Sequence, residues 1–201
     1  MITIQKFSVN KKITLLLFIG LAFWSCEDEK DTTPPVNKWW EDSKYSSYMD
    51  LGSDSLGGEI PPEIGSLTNL TEMALYNNQF TGSIPPEIGN LTNLSYLSFG
   101  GNQLTGSIPS EIGNLTNLTS LNLFNNQLTG SIPSEIGTFT SMTMLKLQDN
   151  QLNGDIPESI CELNITWSDS NRFRLYNNQF CPPYPSCIVD YVGAQDTSGC
   201  D

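Results

Sequence analysis

Between Gly58 and Asn153 the leucines and isoleucines fall at matching places in four successive units of equal length, with no insertion between them. Each unit reads Gly-(Glu/Ser/Asp)-Ile-Pro, then Glu-Ile-Gly or its close variant, then a leucine-rich stretch that closes on Asn-Gln-(Leu/Phe). The step is twenty-four positions, the interval from Asn78 to Asn102, from Asn102 to Asn126 and from Asn126 to Asn150. Self-similarity at such a period is the signature of a solenoid. The same period runs through Pro61, Pro85, Pro109, Pro133 and Pro157.

One unit offers Leu115, Leu118, Leu121, Leu123, Leu128, Ile132 and Ile136 as inward positions, more apolar surface than a single turn of chain can bury. Stacking turns at the inter-strand spacing of ~4.8 Å gives each a neighbour above and below, and makes the core continuous. The short Leu-x-Leu runs predict strands, because alternation sends two side chains in and the one between them out. They fall at Met49 to Leu51, Met73 to Leu75, Leu97 to Phe99, Leu121 to Leu123, Leu145 to Leu147 and Phe173 to Leu175. The last step, from Leu145 to Phe173, is four positions longer than the others, so the segment from Cys161 to Arg172 carries an insertion, expected to bulge on the outer side.

An asparagine at each bend can bond backbone N–H and C=O groups that the tight turn strands, each worth ~1–3 kcal/mol if left unpaired. Asp54 is expected to take that place in the first coil. Gly82, Gly106, Gly130 and Gly154 suit sharp bends, and the prolines that follow sit where a ladder N–H is dispensable.

The pattern Leu-x-x-Leu-x-Leu-x-x-Asn-x-Leu-x-Gly-x-Ile-Pro resembles the plant-specific subclass of leucine-rich repeats, found in plant receptor ectodomains, in polygalacturonase-inhibiting proteins and in bacterial surface proteins. The resemblance covers Met49 to about Ile188. It implies an α/β fold class: a right-handed solenoid, or horseshoe, of about six coils with a concave parallel β-sheet, 3-10 or loop segments outside, and capped ends. The paired cysteines of the plant amino-terminal cap are missing here.

The chain ends carry other signals. Lys6, Lys11 and Lys12 precede an apolar run from Ile13 to Trp24 that is too short to span a bilayer, which needs ~20 residues. Basic head, short apolar centre and a small residue before a cysteine read as a signal peptide over residues 1–25. Phe23-Trp24-Ser25-Cys26 is similar to a bacterial lipobox, which implies lipidation of Cys26 and a membrane anchor. Residues 26–36, acidic and then Pro-containing, read as a solvated tether. The acidic tract resembles the surface-export signal of Bacteroidota lipoproteins, which implies a secreted protein held on the outer membrane at the cell surface.

Residues 37–48 form an expected amino-terminal cap in which Trp39, Trp40 and Tyr45 cover the open end of a solenoid spanning 49–180. Residues 181–201 form the carboxy-terminal cap. Cys161, Cys181, Cys187 and Cys200 all lie near that end, and in a secreted chain they suggest two disulfides. Superposing the last coils on Ile160 and Ile188 sets Cys187 beside Cys161, which favours that pair together with Cys181–Cys200. The alternative, Cys161–Cys181 with Cys187–Cys200, stays open.

The chain has 9 basic and 22 acidic residues. Removing residues 1–25 takes away three lysines and no acid, leaving 6 against 22, a net charge of −16. Such a surface repels phosphate backbones, which excludes nucleic acid as a natural partner. With no histidine, Ser-His-Asp and Cys-His catalysis and histidine-based zinc sites are absent, and no cofactor motif is present. Glu63, Glu87, Glu111 and Glu135 recur once per coil as solvated outer residues, so no enzyme activity is expected. Asn-Leu-Thr/Ser triplets at Asn90, Asn93, Asn114 and Asn117 match glycosylation acceptors but belong to the repeat template.

Alternation around each strand gives three outward columns. They read Tyr48, Glu72, Tyr96, Ser120, Met144, Arg172, then Asp50, Ala74, Ser98, Asn122, Lys146, Arg174, and then Gly52, Tyr76, Gly100, Phe124, Gln148, Tyr176. The repeat template varies most in these columns. Tyr48, Tyr76, Tyr96, Phe124 and Tyr176 bring the amphipathic rings favoured in binding surfaces, and Lys146, Arg172 and Arg174 place half of the mature chain's basic residues on the same sheet. Arg172-x-Arg174 resembles the pair with which some plant receptor ectodomains hold a peptide carboxylate. The expected function is a recognition module that binds protein, peptide or glycan on the concave sheet. A structural or adhesive surface protein is the first alternative. The second, an ice-binding solenoid, rests on the rows Thr68, Thr92, Thr116, Thr140 and Thr81, Thr105, Thr129, and thermal hysteresis would reveal it.

Overall fold

The computed structural model describes residues 39–200; the signal segment, Cys26 and the tether lie outside the described residues. Six strands form one parallel sheet in chain order: Tyr48–Asp50, Glu72–Ala74, Tyr96–Ser98, Ser120–Asn122, Met144–Lys146 and Phe173–Arg174. Register partners up to Met144–Lys146 are one sequence repeat apart, as in Met73 with Leu97, and the last step pairs Leu145 with Phe173 across the longer interval. The first five strands begin one residue before the expected Leu-x-Leu run, because the buried residue stands mid-strand. Leu75, Phe99, Leu123 and Leu147, just past the strands, are fully buried.

After the bends the chain returns through short strands, such as Gly57–Glu59 on Gln79–Thr81 and Thr129–Gly130 on Gln151–Gly154, with only a single bridge, Ser83 to Thr105, in the coil between. Partners here, Gly57 with Gln79 and Thr129 with Gln151, are two positions closer than a full repeat, so each return strand is staggered against its neighbour. The outer side carries 3-10 turns at Pro62–Ser66, Pro86–Asn90, Ser110–Asn114, Ser134–Thr138 and Glu158–Glu162. No described helix is an α-helix. Each 3-10 turn starts directly after an extended proline, whose missing N–H would have had no partner at that position anyway.

Gly65, Gly89, Gly113 and Gly137 let these outer turns approach. A Cβ on Gly113 would stand 2.5 Å from Glu135 Cβ, and one on Gly89 would stand 2.4 Å from the Glu111 carbonyl oxygen. Inside, the repeated Leu and Ile positions and Phe80, Phe99, Phe139 and Phe180 form one continuous cluster with 0–5 % exposure from Met49 to Leu163.

The asparagine ladder lies within this core. Asn126 Nδ2 donates to the carbonyls of Leu123 (3.1 Å) and Phe124 (3.3 Å) in its own coil and of Phe99 (3.0 Å) in the preceding one, while its Oδ1 accepts from Leu104 N–H at 3.0 Å. Asn78, Asn102, Asn150 and Asn178 repeat the arrangement. Asp54 does not take the expected place: it is exposed, and its backbone N–H donates to Asn78 Oδ1 at 3.1 Å. A carboxylate has no N–H to give to the two carbonyls that a rung must hold. At the other end Gln195 supplies the donor, from Nε2 to Leu175 and Val192 carbonyls at 3.0 Å each.

A second ladder precedes the strands. Thr71, Ser95, Thr119 and Thr143 each donate a hydroxyl to the carbonyl at the equivalent place one coil earlier, at 2.8–3.2 Å.

The ends are covered as follows. Trp40 is buried, and Trp39 meets Trp40 edge-on at 5.4 Å and Phe80 at 5.1 Å. Tyr45, expected to share this role, is 88 % exposed, with Lys44 Nζ 6.0 Å from its ring centre. At the carboxy end Cys161 pairs with Cys187 and Cys181 with Cys200, the favoured pairing of the two left open by the sequence. The inserted segment is mostly exposed but anchors two apolar side chains on the core: Ile165 is buried and Trp167 packs edge-on against Phe173 at 4.9 Å. Apolar side chains in the insertion make that the cheaper arrangement, since water would otherwise cover both. Among the described residues no helix is long and apolar enough to cross a membrane.

Candidate functional site: a depression on the six-stranded sheet

The outward columns come together as the alternation implies. Tyr96 and Met144 stand in the column that opens the strands, Ser98, Asn122 and Lys146 in the middle column, and Tyr76 and Phe124 just beyond the strand ends. These seven residues line an open depression of about 330 Å³. Ser98 is the small residue among its larger neighbours.

Glycine one coil earlier decides where two of the rings lie. A Cβ on Gly52 would be 2.4 Å from the Tyr76 ring, and a Cβ on Gly100 would be 2.4 Å from the Phe124 ring. Each aromatic side chain therefore leans across the preceding coil, over a glycine, and rests on the sheet. Bare glycine is the only residue that leaves that space.

The floor of the depression is polar and buried. Ser98 is 2 % and Asn122 5 % exposed. Asn122 Nδ2 donates to Ser120 Oγ at 3.3 Å, and its Oδ1, shut off from solvent, has no hydrogen-bond partner among the described residues. Beside it in register, one strand along, is Lys146. Burial lowers the Lys146 ammonium below the ordinary lysine range, with the nearby Arg174 charge adding to the effect and Asp169 opposing it.

Of the expected contact residues, Tyr76, Tyr96, Phe124 and Lys146 thus share one site. Tyr48 stands apart at the amino-terminal edge, half-exposed, its hydroxyl donating to Asp50 Oδ2 at 3.0 Å. That bond, with burial and the neighbouring Asp50 and Glu72 charges, holds its phenol above the usual range. Arg172, Arg174 and Tyr176 lie on the last coil outside the depression. Arg172 Nε donates to Asp169 Oδ2 at 3.2 Å, and Arg174 Nε donates to the Ser170 carbonyl. The inserted segment thus takes one donor from each guanidinium and fixes its direction. Ser98, Asn122 and Met144 complete the site; their columns were visible in the sequence, but their enclosure was not.

The threonines Thr68, Thr92, Thr116 and Thr140 are exposed, as are Thr81 and Thr129 on return strands and Thr105 at the bridge between them.

Comparison with known proteins agrees with this architecture. Residues 47–165 match the leucine-rich repeat region family. Among solved structures, the Arabidopsis receptor kinase HAESA, in complex with the peptide hormone IDA and the co-receptor SERK1, is similar at 33 % identity and a TM-score of 0.69. The match covers 78 % of this chain and 27 % of that one. The BIR3–SERK2 complex from Arabidopsis matches at 34 % identity and a TM-score of 0.58, over 69 % of this chain and 71 % of that one. A plant ice-binding protein matches at 33 % identity and a TM-score of 0.54, over 63 % of this chain and 40 % of that one. This chain therefore spans about a quarter of the length of the receptor kinase it matches. No curated protein sequence matches it. With the family pattern over more than half of its length, and with the ladder, the parallel sheet and the constant register from coil to coil, the chain belongs to the leucine-rich repeat family.

Proposed function

We propose that this protein is an extracellular recognition module that binds a protein or peptide in the depression of the six-stranded sheet. The observation that carries this reading is the depression itself, in which the rings of Tyr76, Tyr96 and Phe124 and the ammonium stem of Lys146 gather over a small polar floor. The amphipathic rings around it offer large contact area at little entropic cost, the usual make-up of binding hot spots. The similar plant structures, one holding a peptide hormone and a co-receptor, support a partner of this kind. Arg172 and Arg174, aimed by Asp169 and Ser170, are suited to the anionic end of such a ligand.

The mature chain is to be displayed against peptide and protein libraries, and the binders retested on a Tyr96→Ala/Phe124→Ala variant. Truncating two central aromatic contacts is expected to weaken binding at least thirty-fold, ~2 kcal/mol or more. Unchanged affinity across the binders would place recognition on another surface.

Secretion by the segment 1–25 and anchoring through lipidated Cys26 belong to the same reading, with the acidic stretch 26–36 holding the coils away from the membrane. A Cys26→Ser variant is expected to move from the membrane fraction to the medium on fractionation; a protein that stays in the membrane fraction contradicts the anchor. Recognition is favoured over an ice-binding surface because the threonine rows are exposed repeat positions, whereas the sheet gathers aromatic rings and a lysine around one depression.

A further inference from the structure

The middle outward positions of the sheet fall on one register line that crosses the strands: Asp50, Ala74, Ser98, Asn122, Lys146 and Arg174. The line starts acidic and ends basic. Asp50 has Glu72 diagonally beside it on the next strand, both exposed, and Lys146 has Arg174 beside it, both half-buried. Between the two ends Ala74, Ser98 and Asn122 carry no charge and are 2–5 % exposed, so the line runs as a furrow over a low floor. Tyr96 and Met144 rim it on one side, Tyr76 and Phe124 on the other.

The basic end is an exception on an acidic protein. Among the described residues the only basic residue apart from Lys146, Arg172 and Arg174 is Lys44. A partner of one sign fits one end of the furrow only: a polyanion meets Asp50, Glu72 and the field of a chain with net charge −13, and a polycation meets Lys146 and Arg174. A wholly apolar segment takes water from charges at both ends and gives nothing back. A segment with a base at one end, an acid at the other and an apolar residue between them fits throughout.

Four inter-strand steps separate Asp50 from Lys146, and four separate Glu72 from Arg174. At ~4.8 Å per step the span is ~19 Å, which an extended chain covers in about six residues.

Resting on the peptide-recognition reading, we propose that the furrow selects an extended peptide segment by a pair of opposite charges about six residues apart. A lysine or arginine lies over Asp50 and Glu72, an aspartate or glutamate over Lys146 and Arg174, and an apolar side chain between them among the rings of Tyr76, Tyr96 and Phe124. The acid is a side chain within the segment, so no free carboxy terminus is needed. Charges at the open ends of the furrow set register and choice of partner, while the apolar contact supplies most of the affinity.

The test is selection by the mature full-length chain from a synthetic bead library of acetylated peptides, attached through their carboxy ends so that neither terminus is charged. Retained beads are expected to be enriched, at least ~5-fold, in a base and an acid separated by about six positions. In resynthesised binders, glutamine in place of either charged residue is expected to weaken binding about tenfold, and by less as salt is raised. Selection with Glu72→Lys, at an exposed site, is expected to lose the preference for the base and keep that for the acid; Lys146→Glu is expected to do the reverse. A damaged fold would remove both preferences together, so the split reads the charges alone. Binders without such pairs, pairs enriched equally at every separation, or preferences unchanged in both variants overturn the proposal. If unpaired binders are lost in Tyr96→Ala/Phe124→Ala, charge selection is excluded and the depression remains the binding site. Binders indifferent to that aromatic variant, or no binders at all, remove both readings together.

Discussion

Replacing Asn126 with alanine is expected to destabilise the protein by about 2–4 kcal/mol, against less than about 0.5 kcal/mol for a solvent-exposed alanine substitution such as Thr116→Ala. Most of that loss falls on one of the four groups that Asn126 serves. Phe99 O also accepts from Asn102 Nδ2, Leu123 O also accepts from Asn150 Nδ2, and Phe124 O also accepts from Gly101 N–H, so the three carbonyls keep one bond each. Leu104 N–H has no such reserve and is fully buried, so it bears the full desolvation cost. Because Asn126 ties two coils, the loss falls on the coil interface and lowers cooperativity along the stack as well as the midpoint. Urea unfolding followed by circular dichroism checks both: a lower midpoint and a broader or split transition are expected. A stability within about 0.5 kcal/mol of the parent would mean that the rung bonds contribute nothing net over water. Asn126→Asp is expected to be at least as damaging, since it keeps the acceptor but turns a charge onto carbonyl oxygens.

Asp54 makes the same point from the opposite direction. The sequence put it in the first rung because it occupies the repeat position, yet it faces water and leaves Asn78 to serve the first bend alone. Repeat position is legible in sequence, whereas donor count decides occupancy. Gln195 shows the converse, a rung outside the regular spacing whose longer side chain compensates for a different backbone path. The core was legible because burial in a stack of coils depends only on register: the apolar residues expected to point inward in one unit, Leu115 to Ile136, are all buried. The fate of the insertion was not. Its direction depends on whether Ile165 and Trp167 find a surface, and that surface belongs to a strand that follows them.

The site was half legible. Columns follow from alternation, and Tyr76, Tyr96, Phe124 and Lys146 emerged from it. What alternation omits is the lean of side chains between coils. Gly52 stands one repeat before Tyr76 and Gly100 one repeat before Phe124, so the sequence carried that information as a glycine followed one turn later by an aromatic residue. The unpaired Asn122 oxygen depends on Ser120, Ser98 and Lys146 being unable to supply a well-placed donor, a three-coil property with no local signal. Likewise, Arg172 and Arg174 read as a free pair until the insertion is seen to hold one nitrogen of each.

A Cys161→Ser/Cys187→Ser variant is expected to lose about 3.5 kcal/mol, the loop-closure value for a link across 26 residues. The place of Cys161 in the repeat explains why a cross-link is possible there. It stands where earlier coils have Gly65, Gly89, Gly113 and Gly137, positions closed to any Cβ by the outer turn of the next coil. After Glu158–Glu162 no further 3-10 turn stacks on top among the described residues, so a side chain fits, and the disulfide ties the last coil to the segment around fully buried Ile188 that covers it. The bond therefore takes over the contact that the next repeat would have made. In a stack where each coil touches only its neighbours, loss of the bond should be felt locally. Hydrogen exchange is expected to rise first in residues 156–200, while amides of Tyr96–Asn122 keep their protection and ligand affinity at the depression changes less than twofold. A uniform rise in exchange from Met49 onward would show instead that the coils open as one unit, and that the cap governs the stability of the whole array.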